Sequence, residues 1–175
     1  MRNIFLFTLI VTLVIFSACQ LSETRQNDGP THKSVEEPLI KANKQAVKAE
    51  EQQIIDFLNR YNWKMKETGS GLRYAIYHHG KGEKAKPGMI AVLKYNVKLI
   101  DGDEIYNSDN DGLKQFLIGK GGVESGLEEG ILLLRVGDQA KFIIPSHLAF
   151  GLLGDQNLVP PKSTLIYDVE LIALN

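Results

Sequence analysis

From residue 72 to the end, the chain is written in steps of two, and this pattern constrains the fold more than any other feature. "LRYAIYHHG", "MIAVLKYNVKLI", "QAKFIIP" and residues 164–174 alternate apolar with polar side chains and are rich in β-branched and aromatic residues. Each reads as a strand with one face buried. "EIYNS" and "QFLIG" are shorter strand candidates. "GKGEKAKPG" and Asp101-Gly102 read as turns between them. One segment breaks the pattern. In "ESGLEEGILLLRVGD", Leu127, Ile131 and Leu134 fall on one helical face, and Gly137 can stop the helix. Many strands and one short helix predict an α+β domain over residues 72–175. Its curved antiparallel sheet would wrap around the helix, which lies against the concave face.

The run before the last strand does not fit a solvated loop. "AFGLLGDQNLVPP" combines turn residues with Phe150, Leu152, Leu153, Leu158 and Val159. Loops lie on the surface because their backbone polar groups need water, so apolar loop residues imply a covered surface or a binding surface.

Ahead of the domain the pattern differs. Arg2 is followed by an almost unbroken apolar run at residues 4–16, short for a membrane-spanning helix and suited to a signal-peptide core. Ser17, Ala18 and Cys19 follow, an arrangement like the lipobox of bacterial lipoproteins. Residues 1–18 are expected to be removed, with Cys19 receiving lipid and holding the protein at the membrane of the cell envelope. Cys19 is the only cysteine, so no intrachain disulfide forms. Residues 19–37 have almost no large apolar side chains and are expected to form a flexible tether. Residues 38–62 are expected to form an amphipathic helix. Pro38 suits its first turn, Ile40, Val47, Ile54 and Leu58 make one stripe, and Ile55 widens it. The stripe fits a dimerisation helix, a helix packed on its own domain, or a spacer.

Several chemistries are poorly served. Net charge is −1 with no basic face, which argues against a nucleic-acid partner. His78 and His79 are adjacent on a strand and point to opposite faces, so they make a poor metal site. Ser146-His147 has no nucleophile elbow around it. "GKGGVESG" lacks the Lys-Ser/Thr ending of a phosphate loop. Glu128 and Glu129 read as a solvated helix face. What is left is an apolar concavity drawing Tyr95, Phe116, Val123, Leu127, Phe150 and Tyr167 from different elements.

The segments "EEGILLLRVGDQAKFIIPSHLAFG" and "VPPKSTLIYDVELIAL" resemble the FKBP-type peptidyl-prolyl isomerases. "PGMIAVLKYNVKLIDGDEIYNS" and "QFLIGKGGVESGLEEG" precede them in the family's order. The resemblance covers residues 72–175. A lipobox, tether and helix ahead of such a domain are similar to the gliding-motility-associated FKBP-type lipoproteins.

The resemblance implies a proline-binding pocket made by Tyr95, Ile105, Phe116, Val123, Glu124, Leu127, Phe150 and Tyr167. It implies that the Glu124 backbone amide holds a substrate carbonyl, and that Leu158 and Val159 overhang the pocket. It further implies no acid–base catalyst, no metal and no cofactor. The implied partners are proline-containing polypeptide segments. Three positions depart from the family. Ile105-Tyr106 stands where Phe-Asp is common, which removes an aspartate that bonds a pocket tyrosine. Phe150 stands where a tyrosine often donates a hydrogen bond. The implied function is cis–trans isomerisation of X-Pro bonds in envelope proteins. The alternative is a non-catalytic chaperone or interaction module using the same pocket.

Overall fold

The computed structural model describes residues 32–175. The signal segment, Cys19 and most of the tether lie outside the described residues. The chain divides into two units, Met1–Asn43 and Lys44–Asn175.

Helix α1 runs His32–Tyr61 and crosses that division. It begins earlier than residue 38, inside what the sequence assigns to the tether, and Pro38 stands within it rather than at its start. Proline removes one backbone bond and crowds the carbonyl four residues earlier, and the helix continues past it.

Seven strands follow. β1 (Lys66–Glu67) and β2 (Arg73–His78) precede the long β3 (Ile90–Leu99). β4 (Glu104–Asn107) and β5 (Lys114–Leu117) flank a one-turn helix α2 (Ser108–Asp111). Helix α3 (Ser125–Ile131), β6 (Gln139–Ile144) and β7 (Leu165–Leu174) complete the unit. All pairings are antiparallel, in the order β1-β2-β6-β7-β3-β4, with β5 also on β3. The expected α+β architecture is therefore observed. Register shifts at Ile76/His78, Val92/Leu93 and Val97/Lys98 add local twist, which helps the sheet curl.

Strand alternation sends neighbouring side chains to two separate cores. Phe142 and Tyr167 join Leu93, Leu127, Ile131 and Leu134 in the main core with α3. Their neighbours Ile143 and Ile166 turn to the opposite face and meet Ile54 and Phe57 of α1. Helix α3 approaches β6 closely because its sheet-side positions are glycines. A Cβ on Gly130 would lie 2.8 Å from the Phe142 ring, and one on Gly126 would lie 2.5 Å from Ile144. Helix α3 ends at Ile131, six residues before Gly137, so Leu134 reaches the core from a turn instead of a third helical turn.

The second half of α1 packs on its own sheet. Ile54 is fully buried and Leu58 is half-buried, whereas Val47 and Ile55 of the same stripe are exposed. Its polar side is also engaged. Glu50 accepts hydrogen bonds from the Ser146 amide (2.6 Å), the Ser146 hydroxyl (2.9 Å) and the Thr164 hydroxyl (2.6 Å). Glu51 meets the buried Arg73 guanidinium at 2.5 Å.

Candidate functional site

β3 places Tyr95 inward between Leu93 and Val97, with Lys94 and Lys98 on the other face. β5 brings in Phe116 opposite Ala91, and β7 brings in Tyr167 opposite Val97 on one side and Phe142 on the other. Leu127 rises from α3 and is fully buried. Tyr95, Phe116, Leu127 and Tyr167 therefore form one packed cluster, with Ile105, Tyr106, Val123 and Phe150 half-buried against it.

A hollow of about 330 Å³ opens beside this cluster. Val123, Glu124, Ala149 and Phe150 line it, together with Lys114, Gly121 and Gly122. The structure thus brings Val123, Glu124 and Phe150 to the hollow itself, while Tyr95, Phe116, Leu127 and Tyr167 stand in the core that supports it. Of the two residues expected to overhang, only Leu158 is exposed. Val159 is 4% exposed and belongs to the core. The reason is local: its amide donates to Asp155 Oδ1 at 2.8 Å, which turns the side chain inward.

The loop that follows Phe150 is held by a network that the sequence did not reveal. The Tyr106 hydroxyl donates to Asp155 Oδ2, and Asp155 Oδ1 accepts from the amides of Asn157 (2.9 Å) and Val159. Asn157 Nδ2 also reaches the Tyr106 hydroxyl at 3.1 Å. Tyr106, which stands where the family often has aspartate, is therefore a loop anchor. Gly154 has φ +68°, and a Cβ there would lie 2.1 Å from the Val159 carbonyl oxygen. The loop closes this tightly only around glycine.

Partial burial alone would raise the Asp155 carboxyl. The hydrogen bonds from Tyr106, Val159 and Asn157 outweigh it and hold the group below its ordinary value. A lowered folded value means that this carboxylate's stabilisation is present above the unfolded value and is lost as pH falls through the folded one. Asp155→Ala should free residues 150–160, raising their amide exchange at neutral pH by about tenfold while β3 and β7 stay protected. Unchanged exchange in the loop would show that the network does not hold it.

The opposite wall is set by Glu128. Rather than facing solvent only, its Oε1 accepts from the amides of Gly119 (2.7 Å), Lys120 (3.1 Å) and Gly121 (3.3 Å). This fixes the turn leading into Val123. Glu124 stands at the N-cap of α3 with extended backbone, φ −56° and ψ 136°. Its carboxylate accepts the Tyr167 hydroxyl at 2.6 Å. Burial pushes the Tyr167 hydroxyl well above its ordinary value, and the Glu124 charge and hydrogen bond push it further. It therefore remains a donor at any physiological pH.

The exposed His147 is tied to the Ser70 carbonyl through Nε2 at 3.0 Å, away from any nucleophilic arrangement with Ser146. A larger hollow, about 680 Å³, lies on the sheet face that α1 covers, between Phe57, Tyr61, Trp63 and Tyr77 and the outward side chains of β3, β6 and β7. Its lysines are paired, Lys141 with Asp168 and Lys94 with Asp109 inside it, and Lys98 with Glu104 beside it.

Buried aromatics beneath a small hollow at the start of a helix, on a curved antiparallel sheet, define the fold class of the FKBP-type proteins. The family model for FKBP-type peptidyl-prolyl cis-trans isomerase matches residues 81–172. The FKBP-type peptidyl-prolyl cis-trans isomerase FkpA of Escherichia coli strain K12 is 38% identical over 108 residues, covering 62% of this chain and 39% of the relative. FK506-binding protein 1 of Debaryomyces hansenii is 40% identical over 103 residues, covering 57% of this chain and 91% of the relative. The crystal structure of FkpA from Escherichia coli superposes with a TM-score of 0.65 at 29% identity, covering 96% of this chain and 81% of that one. The matched region spans only about two-fifths of the curated FkpA sequence. The chain belongs to the FKBP-type peptidyl-prolyl cis-trans isomerase family.

Proposed function

We propose that the protein accelerates cis–trans isomerisation of X-Pro bonds in polypeptides and so assists their folding. The observation that carries this reading is the hollow walled by Val123, Glu124 and Phe150 over a core of Tyr95, Phe116, Leu127 and Tyr167.

The bond to be turned has a barrier of roughly 18–20 kcal/mol, and no covalent bond breaks. Amide resonance makes the planar ground state more polar than the twisted transition state. A dry apolar hollow therefore disfavours the ground state relative to the twisted one. A proline ring seated against Phe150 and Val123 would leave water, and a hydrogen bond from the Glu124 amide to a substrate carbonyl would hold the chain in the turned shape. Phe150 has no hydroxyl to add a second bond, a loss on the order of 1 kcal/mol. NMR exchange on a Leu-Pro or Phe-Pro peptide measures the outcome. Catalytic amounts of the protein should raise the exchange rate, and Phe150→Ala should reduce that gain by about tenfold or more. A rate unchanged from the uncatalysed one would sink the enzymatic reading.

One observation favours a holding module instead. Leu152 and Leu153 in the loop beside the hollow are 67% and 73% exposed, a surface suited to gripping apolar segments. Suppression of client aggregation without rate enhancement would establish that alternative.

The proposed site of action is the cell envelope. The apolar run at residues 4–16 and the Ser-Ala-Cys ending at Cys19 support a cleaved signal with lipid on Cys19. The order of lipobox, tether, helix and isomerase domain supports clients in gliding-motility machinery. Labelling with a radioactive fatty acid should mark the wild type and leave Cys19→Ser unmarked.

A further inference from the structure

The hollow contains a charge that isomerisation does not need. Glu124 is 8% exposed, and Tyr167, at 1%, holds its Oε1. Its Oε2 is buried and has no hydrogen-bond partner among the described residues. Buried polar atoms are nearly always paired, so an orphaned carboxylate oxygen in a binding wall is a stabilising opportunity forgone. An apolar side chain would fill the same space without that penalty.

The surrounding charges do not cancel it. Lys114 is the only cation among the residues lining the hollow, and its ammonium lies 5.4 Å from the centre of the Tyr95 ring. Glu124 is the one acid among those lining residues, and Asp111 at the end of α2 adds a second carboxylate whose field reaches the Tyr95 wall. Burial raises the Tyr95 hydroxyl first, and the fields of Asp111 and Glu124 raise it further, so both charges reach this wall. Tyr106 and Tyr167 remain neutral donors, which orient carboxylates without neutralising them.

We propose that Glu124 is a specificity-determining residue: its fixed, buried carboxylate makes this pocket select X-Pro segments with basic residues next to the proline and discriminate against acidic ones. This rests on the isomerase reading of the same hollow. A bound chain expels water from the hollow, which lowers the local screening and lets the Glu124 charge act on flanking residues without touching them.

The test compares Lys-Pro, Leu-Pro and Glu-Pro peptides of otherwise identical sequence. NMR exchange is used because a coupled protease would add its own charge preference. The wild-type protein should turn over Lys-Pro faster than Glu-Pro, in kcat/KM, by about tenfold. Glu124→Gln keeps an acceptor for Tyr167 and removes the charge. It should bring that ratio to within about threefold of unity, whichever way the absolute rates move. Lys114→Met removes the opposing charge and should raise the ratio above that of the wild type. A wild-type ratio near one, or a ratio that neither variant moves, overturns the proposal while leaving the isomerase intact. No acceleration of any of the three peptides overturns both.

Discussion

Tyr167→Phe, which deletes a single oxygen atom, should lower the stability of the sheet domain by about 2–3 kcal/mol. Among the described residues the Tyr167 hydroxyl, at 2.6 Å, is the one donor to Glu124 Oε1, and Oε2 has no partner. The variant would leave a carboxylate at 8% exposure with neither oxygen satisfied. An unpartnered buried charge is penalised more heavily than an unpartnered neutral group. Urea unfolding followed through Trp63, the only tryptophan, measures the loss. The melting midpoint should fall by about 5–15 °C. Glu124→Leu added to Tyr167→Phe should recover most of it, because both members of the polar pair are then replaced by apolar groups. If the double variant is less stable than Tyr167→Phe alone, the orphaned carboxylate is not the cause. The alkaline limb gives a second readout. The hydroxyl's folded value lies above its unfolded one, so its stabilisation is complete below about pH 10 and fades as pH climbs towards the folded value. The wild type should lose stability in that range more steeply than Tyr167→Phe.

The strands were legible because their signal is local. In "MIAVLKYNVKLI" the alternation alone gives β3 and puts Tyr95 and Val97 on the buried face. The last strand and α3 were readable for the same reason, although α3 stops at Ile131 because the chain must turn to bring Leu134 under the sheet. β1 was missed because two residues, Lys66 and Glu67, carry no periodicity, and only pairing with β2 makes them a strand. The site was legible where it depends on side-chain type and illegible where it depends on who meets whom. Phe150 is an apolar residue in a loop, a visible oddity. Asp155 looks like any turn aspartate until Tyr106, 49 residues earlier, donates to it. Glu128 looks solvated until the chain folds back to offer three amides. Val159 shares the apolar character of Leu158, and only the bond from its amide to Asp155 decides which of the two turns inward.

The same blindness hid the most consequential acid of α1. Glu50 belongs to the polar side of the helical pattern, yet it satisfies the Ser146 amide, the Ser146 hydroxyl and the buried Thr164 hydroxyl with one carboxylate. These partners lie 96 and 114 residues away in sequence, so no local pattern could pair them. Four and seven residues further on, Ile54 and Phe57 lie on the same helical face and insert against Ile143 and Ile166. The contact is thus one charged clasp beside a small apolar seam. Hydrogen bonds to charged groups contribute about 1.5–3 kcal/mol each, and the buried Thr164 hydroxyl and the half-buried Ser146 donors would be left without this acceptor. Glu50→Ala should therefore cost about 3 kcal/mol in unfolding and speed proteolysis within residues 44–61, while Val47→Ala, on the exposed side, should change neither. Glu50→Gln should fall between, since an amide oxygen accepts but its nitrogen cannot serve the Ser146 hydroxyl in the same way. Equal protease resistance in the wild type and Glu50→Ala would mean that Ile54 and Phe57 alone seat the helix.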